Sequence, residues 1–457
     1  MLGSKGGRDF MYHDMKKKPF FRHFLLTAAL AGCISSGCLP EALSLCFPPF
    51  QEKDSPFSSF LLRTYAAEES TAADHSTEDI SVSAESISRS SALAVTDFGI
   101  RLLNQTIASQ NKEENILLSP LSVQCTLAMA ANGACGETRA QMEQALGLPL
   151  DELNAALHAC TAFPADNAVQ FNLANSMWIN ENCLSALNPS FSQAASDWYD
   201  AEVHLSPFTP DTLFAINHWV SCRTNGLIPN FLSDINPDIG MYLLNALSFE
   251  GEWENEYSES QIQDGVFTAE NGSSQNVTFM NSQEYAYLED ANASGFIKYY
   301  KGGAYAFAAL LPKEGISLDQ YISSLTGQDL QNLLSSPADI KVNASVPKFD
   351  IAFSATFSDE LKNMGMELPL TSEADFSGIG TFTKGNFGIS GVLHKTRMIV
   401  DERGTKAAAA SATILLIGFP KQEEFKTVCL NRPFLCMIID TQNRIPLFMG
   451  AVRTLDS

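Results

Sequence analysis

Positive charge is scarce in this chain. Of 457 residues, 29 are Lys or Arg against 52 Asp or Glu; the formal net charge is −23, although only 18% of residues are charged. No Lys or Arg occurs between Arg139 and Arg223, so no basic helix lies there. Phosphate backbones need Lys and Arg, which excludes nucleic acid as a partner and argues equally against a heparin-type polyanion. The signatures of common catalysts are missing too: there is no GxSxG turn, no HExxH and no P-loop. His13, His23 and His75 fall in the first 88 residues, and the remaining four, His158, His204, His218 and His394, stand at no mutual metal-ligand spacing. None of the ten Cys forms a CxxC pair. No metal, no cofactor and no enzymatic activity are expected. No internal repeat is present.

Apolar residues make up 45% of the chain, with 30 Phe, enough for a large core. A chain this long needs no disulfide framework, so most Cys beyond residue 90 read as small buried apolar residues. The start reads as an export signal: Lys16, Lys17, Lys18 and Arg22 precede the apolar run Phe24–Gly32, which at nine residues is too short to span a bilayer. Leu30-Ala31-Gly32-Cys33 resembles the lipobox of bacterial lipoproteins, which implies acylation at Cys33 and an exported, extracellular or cell-surface lipoprotein attached to a membrane only through its N-terminus. Residues 34–88, rich in Ser, Glu, Ala and Thr toward their end, read as a disordered tether.

From residue 89 to 457 a single domain is expected. Ala92, Val95, Phe98, Leu102 and Leu103 recur at helical spacing. Ser119-Pro120 can open a second helix, with a capping hydroxyl and Pro in the first turn, and Val123–Asn132 suits its buried continuation. Glu137–Leu148 and Leu150–Cys160 read as two more helices. Tyr242–Phe249, Phe307–Leu311 and Asp339–Phe349 carry strand-like content, and Phe434–Ile439 with Ile445–Val452 flank a polar turn, as in a hairpin. Helices early and strands late indicate an α+β fold.

The stretch Val400–Thr413 holds four consecutive Ala, Ala407 to Ala410. Composition alone makes it a surface helix. Gly404 before it, and β-prone Thr413–Ile417 followed by Gly418-Phe419-Pro420, work against one. Glu402-Arg-Gly-Thr-Lys-Ala-Ala-Ala-Ala-Ser411 resembles the loop hinge of inhibitory serpins: an acidic residue, then Gly-Thr-x-Ala-Ala-Ala and small residues. Other segments fit the family in order, among them Asn115–Ser122, Ile216–Val220, Leu244-Asn-Ala246, Gly251-Glu-Trp253, Val346–Phe349, Val392–Lys395, Asn431–Phe434 and Pro446–Gly450, spanning about residues 92–453.

The resemblance implies a serpin fold: helices packed on a large, mostly antiparallel sheet, further smaller sheets and an exposed reactive loop. It implies a monomeric, irreversible suicide-substrate inhibitor of serine endopeptidases, whose cleaved loop inserts as a new strand into a five-stranded sheet and traps the acyl-enzyme. The alternative within the family is a non-inhibitory carrier or chaperone-like protein. The hinge comprises Glu402, Gly404, Thr405, Ala407, Ala408, Ala409, Ala410 and Ser411. Thr405, Ala407, Ala409 and Ser411 face beneath the sheet on insertion, where small size avoids clashes, and Gly404 suits a pivot. Ser119, Ser122, Asn245 and His394 take the positions of a polar cluster under the opening, and Trp253 sits where the loop first enters. Family spacing sets the scissile bond at Gly418–Phe419, with Leu416 and Ile417 as alternative anchors. These suit an elastase-, subtilisin- or chymotrypsin-like protease, since no basic residue lies between Ala407 and Pro420.

Overall fold

The computed structural model describes residues 87–162, 169–226, 228–383, 388–405 and 425–455. Cys33, the tether to residue 86, Ala407–Ser411 and Leu416–Phe419 lie outside the described residues. Helix α1 (Arg89–Ser109) starts where Ser88 Oγ accepts the Ser91 N–H, and buries Ala92, Val95, Phe98, Leu102 and Leu103. It is followed by α2 (Pro120–Ala131), α3 (Gly136–Leu146), α4 (Leu150–Thr161), α5 (Pro189–Tyr199), α6 (Pro210–Arg223), α7 (Leu318–Ser324), α8 (Gly327–Ser335) and α9 (Asp359–Asn363). Every residue of α2 is buried, as its small apolar sequence requires, and its N-cap is Ser119 with Pro120 behind it.

The first strands are β1 (Ile116–Leu118), β2 (Val169–Asn180), β3 (Leu184–Leu187), β4 (Glu202–Ser206), β5 (Met241–Glu252), β6 (Ile262–Thr268), β7 (Ser274–Glu289) and β8 (Ala293–Tyr299). The rest are β9 (Tyr305–Pro312), β10 (Ala338–Pro347), β11 (Phe349–Phe357), β12 (Gly380–Phe382), β13 (Val392–Val400), β14 (Gly404–Thr405), β15 (Phe425–Cys429), β16 (Phe434–Asp440) and β17 (Ile445–Val452). Nine strands form one sheet in the order β1-β17-β16-β9-β8-β7-β10-β15, with β6 on β7. Its pairings are antiparallel except β10 with β15. A central sheet runs β11-β13-β5-β2-β4, with β14 on β5, and β12 pairs with β3. The expected α+β serpin architecture is present. The split into early helices and late strands is less clean than the sequence suggests, because β2, β3 and β4 alternate with the early helices.

The main core lies between the sheets and helices α1 to α5. A second, smaller cluster, including Trp178, Ile216, Val220, Tyr242 and Leu244, packs α6 on the opposite face of the central sheet. Cys125, Cys160 and Cys436 are buried, and burial pushes the Cys125 and Cys436 thiols up to about 12. Cys135, Cys183 and Cys429 are half-buried and Cys222 is exposed, so burial is less general among the cysteines than composition suggests.

Candidate functional site in the central sheet

The two middle strands of the central sheet are joined over only part of their length. Strand β13 pairs with β11 over nine residues, and β5 pairs with β2 from Val169–Gly251 to Ile179–Met241. Between β13 and β5 the parallel ladder runs from Val392–Leu243 to Lys395–Ala246 and stops. Farther along, Gly404 and Thr405 occupy the seam as β14, antiparallel to Glu252 and Gly251 of β5. The start of the hinge is therefore already inside the sheet rather than wholly outside it, and the sheet has six strands rather than five. Gly404 adopts φ 155°, a conformation that favours glycine, and it also serves a close approach: a Cβ there would meet the Gly251 carbonyl oxygen at 1.9 Å.

A ring of aromatic groups receives this segment. Trp253 is buried and stacks on Tyr300 with ring centroids 4.5 Å apart. Its backbone N–H donates to the Arg403 carbonyl and its indole Nε1 to the Asp401 carbonyl, both at 2.9 Å. The Tyr257 N–H donates to the Glu402 carbonyl at 2.9 Å. Thr405 is 1% exposed, and its hydroxyl lies 2.9 Å from the Tyr300 hydroxyl. The Lys348 ammonium, 2.6 Å from Glu402, holds that carboxyl below its usual range. Lys298 lies 4.5 Å from the Tyr257 ring and 5.4 Å from the Trp253 ring, and pairs with Glu284 at 3.0 Å.

Ser119, Ser122, Asn245 and His394 come together beneath the closed part of the seam, where Asn245 and His394 are direct cross-strand partners. The Ser119 N–H donates to His394 Nε2 at 3.1 Å, and Ser122 Oγ donates to Asn245 Oδ1. His394 is therefore neutral with its proton on Nδ1, which has no hydrogen-bond partner among the described residues. Burial holds it down to about 3. The cluster extends to Asn175, whose Oδ1 accepts from Asn245 Nδ2 at 2.6 Å and whose Nδ2 donates to the Tyr199 carbonyl at 3.3 Å. Thr396 Oγ1 donates to the Leu117 carbonyl at 2.6 Å. Sequence reasoning does not single out Asn175, Tyr300, Thr396 or Lys348. Asn175 carries the one usable signal, a polar residue in the alternating row Phe171, Leu173, Met177, Ile179.

A sheet stopped part-way open, with the start of an alanine-rich segment seated in its seam, is a feature that comparison can place. The family model described as "Serpin (serine protease inhibitor)" matches residues 93–455. The chain belongs to the serpin family. An uncharacterized serpin-like protein of Thermococcus kodakarensis is 29% identical over 366 residues, covering 78% of this chain and 84% of that one. Tengpin, a thermophilic serpin solved in its native state, is 40% identical with a TM-score of 0.76, covering 82% of this serpin and 96% of its own chain. Thyroxine-binding globulin, solved with thyroxine, shares the fold at 23% identity and a TM-score of 0.70, covering 80% of this serpin and 99% of that chain. The family is described as one of serine protease inhibitors, and one protein that shares its fold was solved with thyroxine. Among the described residues no His, Cys, Asp and Glu cluster could hold a metal ion.

Proposed function

We propose that this serpin is an irreversible inhibitor of apolar-preferring serine endopeptidases, acting by insertion of its cleaved loop between β5 and β13. The observation that carries the reading is the register of β14. Continuing Gly404–Glu252 and Thr405–Gly251 along β5 sets Ala407 against Phe249, Ala409 against Leu247 and Ser411 against Asn245. Phe249, Leu247 and Leu243 belong to the main core, whereas Leu244 and Tyr242 lie beneath α6. Once inserted in this register, residues 405, 407, 409 and 411 would face the core side, and the sequence supplies Thr, Ala, Ala and Ser there; Lys406 would fall opposite Glu250 on the other face. Gly251 shows how little room exists: a Cβ on it would meet the Phe249 and Tyr300 rings at 2.9–3.0 Å.

Insertion then has two stages. Residues 406–409 can fill the open part of the seam without breaking the β5–β13 ladder. Residues 410–413 require its four pairs to part, above the Asn245–His394 cluster. A protease acylated at the far end of the loop is carried along, and catalytic geometry tolerates little displacement. Incubation with elastase, subtilisin, chymotrypsin and trypsin tests the reading. An SDS-resistant 1:1 adduct is expected with an apolar-preferring enzyme, with release of a C-terminal peptide beginning between Ile417 and Pro420. Cleavage by every enzyme without an adduct would sink the inhibitory reading and leave the carrier alternative.

A further inference from the structure

Among the described residues, Phe214 is 70% exposed, the most open of the large apolar side chains. It begins a ridge on α6. Ile216 and Val220 are buried on the face of that helix that packs on the central sheet. Phe214, His218 and Cys222 stand at four-residue intervals on the other face, and all three are exposed. Cys222 is the exposed free cysteine among the described residues. Its Sγ lies 3.6 Å from His218 Nε2, and the His218 ring is parallel to that of Phe214 to within 1°, at a centroid distance of 6.2 Å. Sequence reasoning compares His with His and Cys with Cys, and so passes over an unlike pair four residues apart.

The separation of the two donor atoms fits neighbouring ligands on one ion. Zinc binds a thiolate sulfur at about 2.3 Å and an imidazole nitrogen at about 2.0–2.1 Å. At a tetrahedral angle those bonds set sulfur and nitrogen about 3.6 Å apart, which is the distance found between Cys222 and His218. Two ligands do not hold such an ion, and no third His, Cys, Asp or Glu joins them among the described residues. The pair faces solvent, so a second copy of the chain can bring the same pair to it. A two-fold axis through the ion exchanges the two sulfurs and the two nitrogens and yields a closed Cys2His2 set with no other residue required. Phe214, one turn before His218, adds apolar surface beside the ion on each copy. Without the ion the contact is too small. A helix of 14 residues presents about 200 Å² to a partner, from its length of about 21 Å and width of about 10 Å, against about 800 Å² per partner in a stable interface. Each copy also carries a formal charge of −23, so the two repel.

We propose that His218 and Cys222 form half of a zinc-class metal site, which the same pair on a second copy of the chain completes, so that the ion joins two copies through α6. Each thiol gives its proton to solvent as the sulfur takes the ion, and each imidazole binds through a neutral Nε2; the two thiolates balance the charge of a divalent cation. Thiolate and imidazole ligands together select zinc over magnesium and calcium, which take oxygen ligands. The site does not involve the reactive loop, so it stands or falls apart from the inhibitory reading.

The test uses the full chain under reductant, stripped of metal by a chelator and then titrated with zinc chloride, with mass followed by sedimentation and bound zinc by a chromogenic chelator. Wild type is expected to be a monomer that becomes a dimer at one ion per two chains and reverts on addition of EDTA. Cobalt in place of zinc is expected to give the near-ultraviolet band of a thiolate ligand. His218→Ala and Cys222→Ser, both at exposed positions, are expected to keep the wild-type melting temperature without metal and to stay monomeric at zinc concentrations that dimerise wild type. Cys222→His keeps a ligand, and is expected to dimerise with zinc while losing the cobalt band. A wild type that stays monomeric in excess zinc, or that binds one ion per chain as a monomer, overturns the proposal. So does a zinc-induced dimer that both single variants still form, which places the ligands elsewhere in the chain.

Discussion

Replacing Thr405 by Arg is expected to turn the inhibitor into a substrate. Thr405 is buried opposite Gly251, against the hydroxyl of Tyr300, whose ring in turn packs on the buried rings of Trp253 and Phe249. A guanidinium there meets the Tyr300 hydroxyl, which carries no charge, and an unpaired buried charge costs several kcal/mol. The pairing of Gly404 and Thr405 with β5 returns only about 1 kcal/mol per backbone hydrogen bond. The uncleaved variant therefore releases β14 rather than bury the charge, and its melting temperature changes little. After cleavage there is no such escape, because complete insertion must pass the introduced guanidinium through the same space. If the insertion transition state feels half of a penalty of about 3 kcal/mol, insertion slows by roughly tenfold, while deacylation by the bound protease is unaffected. The assay is the stoichiometry of inhibition, read by titrating residual protease activity, with adduct and cleaved inhibitor resolved on an SDS gel. The excess of the stoichiometry over one inhibitor per enzyme, which is the ratio of deacylation to insertion, rises about tenfold, and cleaved inhibitor grows at the expense of adduct. Thr405→Ser, which keeps the hydroxyl facing Tyr300, stays near the wild-type ratio. A variant Thr405→Arg that traps protease at the wild-type stoichiometry would refute the insertion argument.

Two further outcomes concern the polar cluster under the seam. His394 is held neutral to about 3 by burial, whereas an unfolded His titrates near ~6.5. Below that pH the unfolded state binds a proton that the native state refuses, so native stability falls by about 1.4 kcal/mol per pH unit down to pH 3, and is untouched above pH 7. Between pH 7.5 and 5 the unfolding free energy from urea titration should thus drop by about 2 kcal/mol more in wild type than in His394→Gln; equal drops would show that His394 is not buried neutral. Asn245→Ala strands the Ser122 hydroxyl and the Asn175 carbonyl oxygen, at about 1–3 kcal/mol for each buried orphan. It should speed loss of inhibitory activity on warming, at unchanged mass, by roughly tenfold, and an unchanged half-life would remove Asn245 from the barrier.

What sequence can reveal here is local. Helix α1, the α2 cap at Ser119 and the β16–β17 hairpin each follow from a short-range pattern and stand where that pattern sets them. The small residues at alternate positions after Gly404 are legible for the same reason. The length of the open seam is not, because it depends on where β5 and β13, about 150 positions apart in the chain, stop pairing. Tyr300 illustrates the limit: its contact with Thr405 spans 105 positions, and nothing near Tyr300 in sequence marks it. Sequence points to the backbone freedom of Gly404; the structure uses it, at φ 155°, and adds the close contact with Gly251, which no local pattern reveals.

The position of the barrier to insertion follows from which pairings are long and which are short. β13 is held to β11 by nine pairs and by the Arg397–Asp350 ion pair, whose two hydrogen bonds measure 2.9 and 2.7 Å. β5 is held to β2 by eleven. The four-pair β5–β13 ladder is the short seam, and α2 staples it from beneath: the Ser119 N–H holds His394 on β13 while the Ser122 hydroxyl holds Asn245 on β5. Both donors stand at the N-terminus of one rigid, wholly buried helix, so the strands cannot part without loosening at least one of these bonds. Asn245 can remain with β2 through Asn175. In the continued register Ser411 arrives opposite Asn245 on the same face, bringing a hydroxyl to the groups that parting leaves short. One ladder of four pairs is then replaced by two longer ones, with β5 and with β13. On the proposed mechanism the barrier to insertion therefore falls at the Asn245–His394 level and the gain lies beyond it, as in a state that is held kinetically.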